Sequence, residues 1–394
     1  MGFWVVDWGD MAGNSSLGAA KDARQDEFYT QLSDIENELR HYRKHFKGKV
    51  VLCNCDDPFE SNFFKYFVLN FNKLGLKKLI ATCYSGSPIA GTQLSLFDDI
   101  PSKTFETPYK AIVTVVRDAT GDGGIDMLDV AALFKTGENK LTRLKGNGDF
   151  KSPECLALMD EADIVVTNPP FSLFNEYLLL LVERNKGFVV IGPQNAIHYR
   201  DIFPLLKQNK IWLGYGFQKG DAYFSIPREN ARNFASGVYD ENTGLVHFRN
   251  CTWFTNLDIK KRHEELVLVK SFDPATYPRY FNYEAIDVSR VSDIPCDYTG
   301  KMGVPDTFLS QYNPEQFEII GMGSDVPKTL DHVSYKAQNR IAYERDGVAV
   351  WETEYSVAER KLGNGLRIDA GGLPGKSPFS RIIIRNRHPE SPED

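Results

Sequence analysis

Short apolar runs alternate with amphipathic stretches through the first two thirds of the chain. Asp34-Ile35-Glu36-Asn37-Glu38-Leu39 opens a predicted helix that runs to Phe46. Lys49-Val50-Val51-Leu52-Cys53 is short and continuous, the pattern of a buried strand. Asn54 to Pro58 make a turn, and Ser61 is placed to cap the helix that follows. That helix carries Phe63, Phe64, Phe67 and Phe71 as one stripe, which predicts a core face. Lys77 to Tyr84 reads as a second strand. Strand, helix, strand in this order predicts a crossover connection and a parallel sheet.

Residues 85–143 break the rhythm and read as an insertion. It holds a predicted strand pair, Leu94 to Phe97 and Ala111 to Val116, and a helix near Val130 to Phe134. The alternation then resumes with a strand at Ile164 to Thr167, a helix at Leu173 to Arg184 and a strand at Phe188 to Gly192. A helix near Tyr199 to Gln208 follows, then strands at Ile211 to Gly214 and Cys251 to Leu257. The fold class predicted is α/β, with a doubly wound, mostly parallel, Rossmann-like sheet. After about residue 270 Pro, Tyr, Asn and Asp become frequent and helical periodicity fades. The division predicted is an N-terminal tail over 1–25, a main domain over 26–270 and a smaller, loop-rich domain over 271–394.

Composition narrows the class. With 394 residues, 42% hydrophobic and 25% charged, the chain can build a large core without disulfide staples. Its six cysteines are scattered, and Cys53-Asn54-Cys55 is too tight for a zinc pair, so reduced thiols and a cytoplasmic setting are expected. No apolar run is long enough to span a bilayer. The net charge of −7 leaves nucleic-acid binding to local basic patches. Two groups of cations qualify, one over Lys207 to Arg249 and one over Arg360 to Arg387.

Asn168-Pro169-Pro170-Phe171 carries the chemistry. It ends the Ile164 to Thr167 strand, because proline lacks an N–H and fixes φ. The loop offers an amide oxygen, a neighbouring backbone carbonyl and a flat ring. That set suits grasping the exocyclic amino group of a planar base.

Several segments in order now resemble one family. They are Asp26 to Leu39, Val51 to Phe67, Gly148-Asp149-Phe150, Thr167 to Phe174, Cys251 to Leu257 and Asn313 to Gly321. The chain resembles the EcoRI-type adenine-specific DNA methyltransferases over most of 26–258 and more patchily to about 385. The resemblance implies S-adenosylmethionine as methyl donor, double-stranded DNA as substrate and a restriction-modification setting, with 271–394 as target-recognition domain. It assigns Asn168 and the Pro169 carbonyl to the target N6, with Pro170 stiffening the loop and Phe171 stacking on a flipped base. It assigns the cofactor to Tyr29, Thr30, Asn54, Asp56, Asp57, Asp149 and Phe150. Cysteine, asparagine and aspartate stand where the wider superfamily has Gly-x-Gly, and no acidic residue ends the second strand. Cytosine N4 as acceptor, and a catalytically inactive DNA-binding protein on the same fold, are the alternatives. The sequence leaves the oligomeric state open, a monomer being one option.

A second pattern lies in the insertion. Asp118, Thr120, Asp122, Asp126 and Asp129 fall at oxygen-donor positions of an EF-hand-like loop, with Gly123 at the sharp turn. The expectation is a structural calcium ion there. The competing reading is an acidic turn that caps the next helix.

Overall fold

The computed structural model describes residues 29–55, 61–83, 108–135, 137–217, 220–225, 238–326, 334–345, 348–361, 365–371 and 378–391. The predicted tail over 1–25 and the predicted strand Leu94 to Phe97 lie outside them. The chain divides into two compact units, 1–259 and 260–394.

The first unit opens with β1 (Tyr29–Thr30), α1 (Leu32–Leu39) and α2 (Arg43–Phe46). The single helix predicted over 34–46 is thus two. The chain turns at 40–42 and buries Tyr42, whose hydroxyl donates to Glu38 Oε1 at 2.7 Å. β2 (Val50–Cys53) is followed by α3 (Asn62–Leu69), α4 (Phe71–Leu74) and β3 (Lys78–Thr82). Ser61 caps α3, its Oγ accepting from the amides of Phe63 and Phe64. The aromatic stripe is core: Phe63, Phe64, Phe67 and Phe71 join one apolar cluster. Each buried ring contributes about 1.5–3 kcal/mol.

β4 (Tyr109–Val113), α5 (Met127–Ala132) and β5 (Lys140–Arg143) come from the insertion. Then follow α6 (Pro153–Glu161), β6 (Ile164–Thr167), α7 (Phe174–Glu183) and β7 (Gly187–Pro193). Sequence periodicity did not mark α6, although Ser152 caps it and Pro153 occupies its first turn. The next helix, α8 (Phe203–Lys207), is shorter than predicted and starts beside Pro204, which has no N–H to extend a helix further back. β8 (Trp212–Leu213), β9 (Ala222–Ser225), β10 (Tyr239–Asp240), β11 (Leu245–Phe248) and β12 (Cys251–Thr255) complete the unit.

Eight of these strands form one sheet in the order β5-β4-β3-β2-β6-β7-β12-β8. Pairing is parallel from β3 through β7 and antiparallel on both flanks. The mostly parallel sheet predicted is therefore parallel only at its centre. The insertion supplies one flank by folding β4 and β5 back onto β3. The other flank forms because β12 returns between β7 and β8 after a long excursion. That excursion builds a second sheet, β1-β9-β11-β10. Its start is held by Glu38, whose carboxylate accepts from the amides of Tyr215 and Gly216 at 2.9 and 3.0 Å.

The second unit is built of strands. β13 (Ile286–Asp287), β14 (Met302–Pro305), β15 (Phe317–Met322) and, after a hairpin, β18 (Arg381–Asn386) form a sheet ordered β13-β14-β18-β15. The hairpin pairs β16 (Ser334–Arg345) with β17 (Val348–Lys361). The loop-rich reading of this region missed these strands. β13 has two residues and β15 shifts register between Ile319 and Gly321, so period-two alternation is interrupted.

Candidate active site

Parallel strands present their carboxyl ends to one side of a sheet, where α/β proteins place ligands. Asn54 follows the end of β2, Thr82 ends β3, and Thr167 ends β6 with Asn168 next to it. All four are buried polar residues in a largely apolar interior. The Thr167 hydroxyl donates to the Asn54 carbonyl, which ties the two strand ends together. Asn168 is 6% exposed and Phe171 equally so. Pro169 is buried and Pro170 half-buried. Phe171 opens a short 3-10 turn, Phe171–Leu173, and its ring belongs to the apolar cluster of the first unit. Phe174 then packs on Gly192 of β7, where any Cβ would collide with its ring. The loop is thereby anchored on both sides of the strand end.

Tyr177, one α-helical turn further on, is fully buried. Its hydroxyl donates to Asn54 Oδ1, and its ring meets Phe150 edge to face at 5.0 Å. Asn54 and Phe150 thus meet at Tyr177, on the helix that follows the Asn168 loop. With Oδ1 engaged, Asn54 Nδ2 is buried and has no hydrogen-bond partner among the described residues. Cys55 follows with φ of 74°. That left-handed turn is the one glycine makes most easily, so the chain makes it without the glycines of the wider superfamily.

Tyr29 and Thr30 pair with Ser225 and Phe224 of β9. Asn62, the first residue of α3, donates its Nδ2 to the Thr30 carbonyl at 2.8 Å. This brings β1 to the start of the helix that follows the β2 turn. Thr30 Oγ1 is buried and, among the described residues, also lacks a partner. Asp149 is half-buried, and its Oδ1 accepts from the Lys151 amide at 2.8 Å. Asp56 and Asp57 lie outside the described residues.

The insertion loop is a different matter. Asp118 accepts from Thr120 Oγ1 and from the amides of Gly121 and Gly123 at 2.5–3.1 Å. These donors hold its carboxyl below the usual range, the Gly123 amide most of all. Asp122 accepts from the Gly124 amide. Asp126 and Asp129 form a reciprocal capping box at the start of α5, and Asp129 also binds the amides of Ala119 and Thr120. Among the described residues no group of three or more His, Cys, Asp or Glu is placed to hold a metal ion. The calcium expectation at Asp118, Thr120, Asp122, Asp126 and Asp129 therefore finds no support. The carboxylates of Asp118, Asp122, Asp126 and Asp129 accept from amides of the loop, and the Thr120 hydroxyl donates to Asp118, the pattern of a self-capped turn.

The family described as adenine-specific methyltransferase EcoRI matches residues 16–387. The chain belongs to that family. The reading as an adenine-directed DNA methyltransferase enzyme that uses S-adenosylmethionine holds. Type II methyltransferase M.EcoRI of Escherichia coli is 43% identical over 317 residues, covering 78% of this chain and 89% of that protein. Type II methyltransferase M.MpnI of Mycoplasma pneumoniae is 35% identical over 378 residues, covering 93% of this chain and 97% of that protein. No solved structure matches the chain. Within the family's frame, sequence reasoning missed Asn62, Thr167 and Tyr177. Tyr177 carried one faint signal: a tyrosine on an otherwise apolar buried helix face, with Phe174, Leu178 and Leu181, needs a partner for its hydroxyl. Among the described residues no helix is long and apolar enough to cross a membrane.

Proposed function

We propose that the protein transfers a methyl group from S-adenosylmethionine to N6 of an adenine extruded from duplex DNA. One observation carries this reading. Buried polar side chains at Thr30, Asn54, Thr167 and Asn168 surround the carboxyl ends of β2 and β6 and the start of α3. Buried polar atoms are costly unless bonded. Thr30 Oγ1 and Asn54 Nδ2, without protein partners among the described residues, therefore suit a polar ligand. These residues fit the methionine end of S-adenosylmethionine, and Phe150 with Asp149 fits its adenine. Asp56 and Asp57 belong to the same proposed set by their position after β2.

The cofactor supplies an electrophilic methyl group on a cationic sulfur, which needs no metal ion. The protein's task is the nucleophile. Asn168 Oδ1 and the Pro169 carbonyl accept the two N6 hydrogens and turn the nitrogen lone pair out of the ring plane. A neutral amide does this without burying a charge. Pro170 fixes the loop, and Phe171 replaces the stacking that the extruded base loses. In this reading the central sheet is the Rossmann-like methyltransferase sheet, and 26–270 is the catalytic domain. Residues 271–394, with the excursion at 216–250, read the target sequence. All six cysteines are free, which fits a cytoplasmic enzyme.

The test is incubation with methyl-labelled S-adenosylmethionine and duplex DNA, then digestion to nucleosides. Label in N6-methyladenine supports the proposal; label in N4-methylcytosine, or none in DNA, contradicts it. Asn168→Ala should lower turnover about 100-fold or more while leaving cofactor affinity within a few fold.

A further inference from the structure

A concavity of about 510 Å³ opens on the second unit, far larger than one small ion requires. Arg279, Lys301 and Arg385 line it, opposed by Glu284 alone among the charged lining residues. That local surplus of positive charge stands out on a chain of net charge −7. Tyr283 and Tyr298 supply aromatic walls.

The cations here differ from the arginine beneath them. Arg381 is buried and committed: its Nε donates to Asp287 at 2.8 Å, and Asp287 also accepts from the Tyr280 hydroxyl at 2.5 Å. This satisfied network forms a rigid floor. Gly303 permits it, since a Cβ there would collide with the Tyr280 hydroxyl. Above the floor, no carboxylate among the described residues lies within ion-pair distance of Arg279 or Lys301. Arg385 has only Glu318 at 3.7 Å, with both side chains nearly half exposed, a pair of small worth. Lys301 Nζ sits over the Tyr283 ring at 5.0 Å, which holds the ammonium at the rim. Tyr298 is half-buried and packs on Phe272 with centroids 4.4 Å apart. Gly300 lets it lie against the main chain, because a Cβ there would fall 2.6 Å from its hydroxyl.

Two guanidinium groups and an ammonium around an aromatic wall match a polyanion with flat or apolar groups between its charges. We propose that this concavity holds the sugar-phosphate backbone of the DNA substrate, with phosphates on Arg279, Lys301 and Arg385 and a sugar or base edge on Tyr298. The inference rests on the reading of duplex DNA as substrate and names where the second unit grips it. Contacts of this kind set affinity and register rather than sequence.

The experiment is fluorescence anisotropy of the full-length protein with a fluorescein-labelled DNA duplex across a salt series. Arg279→Gln, Lys301→Gln and Arg385→Gln should each flatten the plot of log affinity against log salt by about 0.9. The triple variant should bind roughly tenfold or more weakly near 0.1 M salt. Calorimetric binding of S-adenosylmethionine and the melting temperature should not change. Lys260→Gln, an exposed cation of the same unit, should leave the slope alone, and Arg279→Lys should keep most of it. A triple variant that binds DNA within twofold of wild type, with an unchanged slope, overturns the inference. If wild type methylates DNA in that case, only this inference falls; if wild type neither binds nor methylates DNA, the functional reading falls with it. Should the triple variant melt early, the single variants and Arg279→Lys decide.

Discussion

Tyr177 donates its phenolic hydrogen to the side-chain carbonyl of Asn54, joining the helix behind the Asn-Pro-Pro-Phe loop to the turn that leaves β2. The bond fixes which end of the Asn54 amide faces the strand ends. It also links the proposed methyl-acceptor loop to the proposed cofactor wall, because the same ring packs on Phe150. Tyr177→Phe removes the hydroxyl and keeps the ring. The expected result is a melting free energy lower by about 1–2 kcal/mol and weaker S-adenosylmethionine binding in calorimetry, with DNA affinity unchanged. Unaltered cofactor binding would detach Asn54 from the cofactor.

Phe171 is both core and candidate stacking platform, since it is buried in the apolar cluster of the first unit. Phe171→Ala should therefore lose about 3–5 kcal/mol of stability and also transfer methyl groups slowly. Gel-shift affinity for DNA should persist at a temperature where the variant is folded. Wild-type turnover in the folded variant would leave Phe171 a packing residue alone.

The acidic turn at 118–129 should take up no calcium. Titration calorimetry of wild type with calcium is expected to give only dilution heat, and Asp118→Ala the same. What Asp118 does instead is hold the amides of Gly121 and Gly123. Amide exchange at those glycines should quicken in Asp118→Ala. Saturable heat in wild type that disappears in Asp118→Ala would restore the metal reading.

Asp34 gives a pH signature. Burial pushes its carboxyl up from 3.8 to about 6. A folded pKa above the unfolded one means that the folded state pays for ionisation. The contribution is complete below about pH 3.8 and is lost as pH rises through 6. Asp34→Asn should thus melt higher than wild type at pH 8, and the gap should close below pH 4. An equal gap at both pH values would show that Asp34 does not titrate with folding.

What was legible in the chain depended on the range of the interaction that made it. The Asn168 to Phe171 loop could be read because two prolines end a strand whatever surrounds them. The Ser61 cap and the aromatic stripe of α3 are local too. The break between α1 and α2 was hidden, because it exists to seat Tyr42 on Glu38 and to place Glu38 beneath Tyr215 and Gly216, far along the chain. The partnership of Thr30 with Asn62, and of Tyr177 with Asn54, likewise joins residues that no local pattern connects. The acidic loop resists a local reading for a related reason. Carboxylates at calcium-ligand spacing are also carboxylates at turn-capping spacing, and only their hydrogen-bond partners tell the two apart.

The central claim is that Asn168 and the Pro169 carbonyl present an extruded adenine for methylation. A crystal structure of the protein with duplex DNA and a non-reactive analogue of S-adenosylmethionine tests it most directly. The target N6 should lie within about 3 Å of Asn168 Oδ1 and of the Pro169 oxygen, with the analogue's adenine beside Phe150. A target base still stacked in the duplex, or extruded into a site away from β2 and β6, would contradict it.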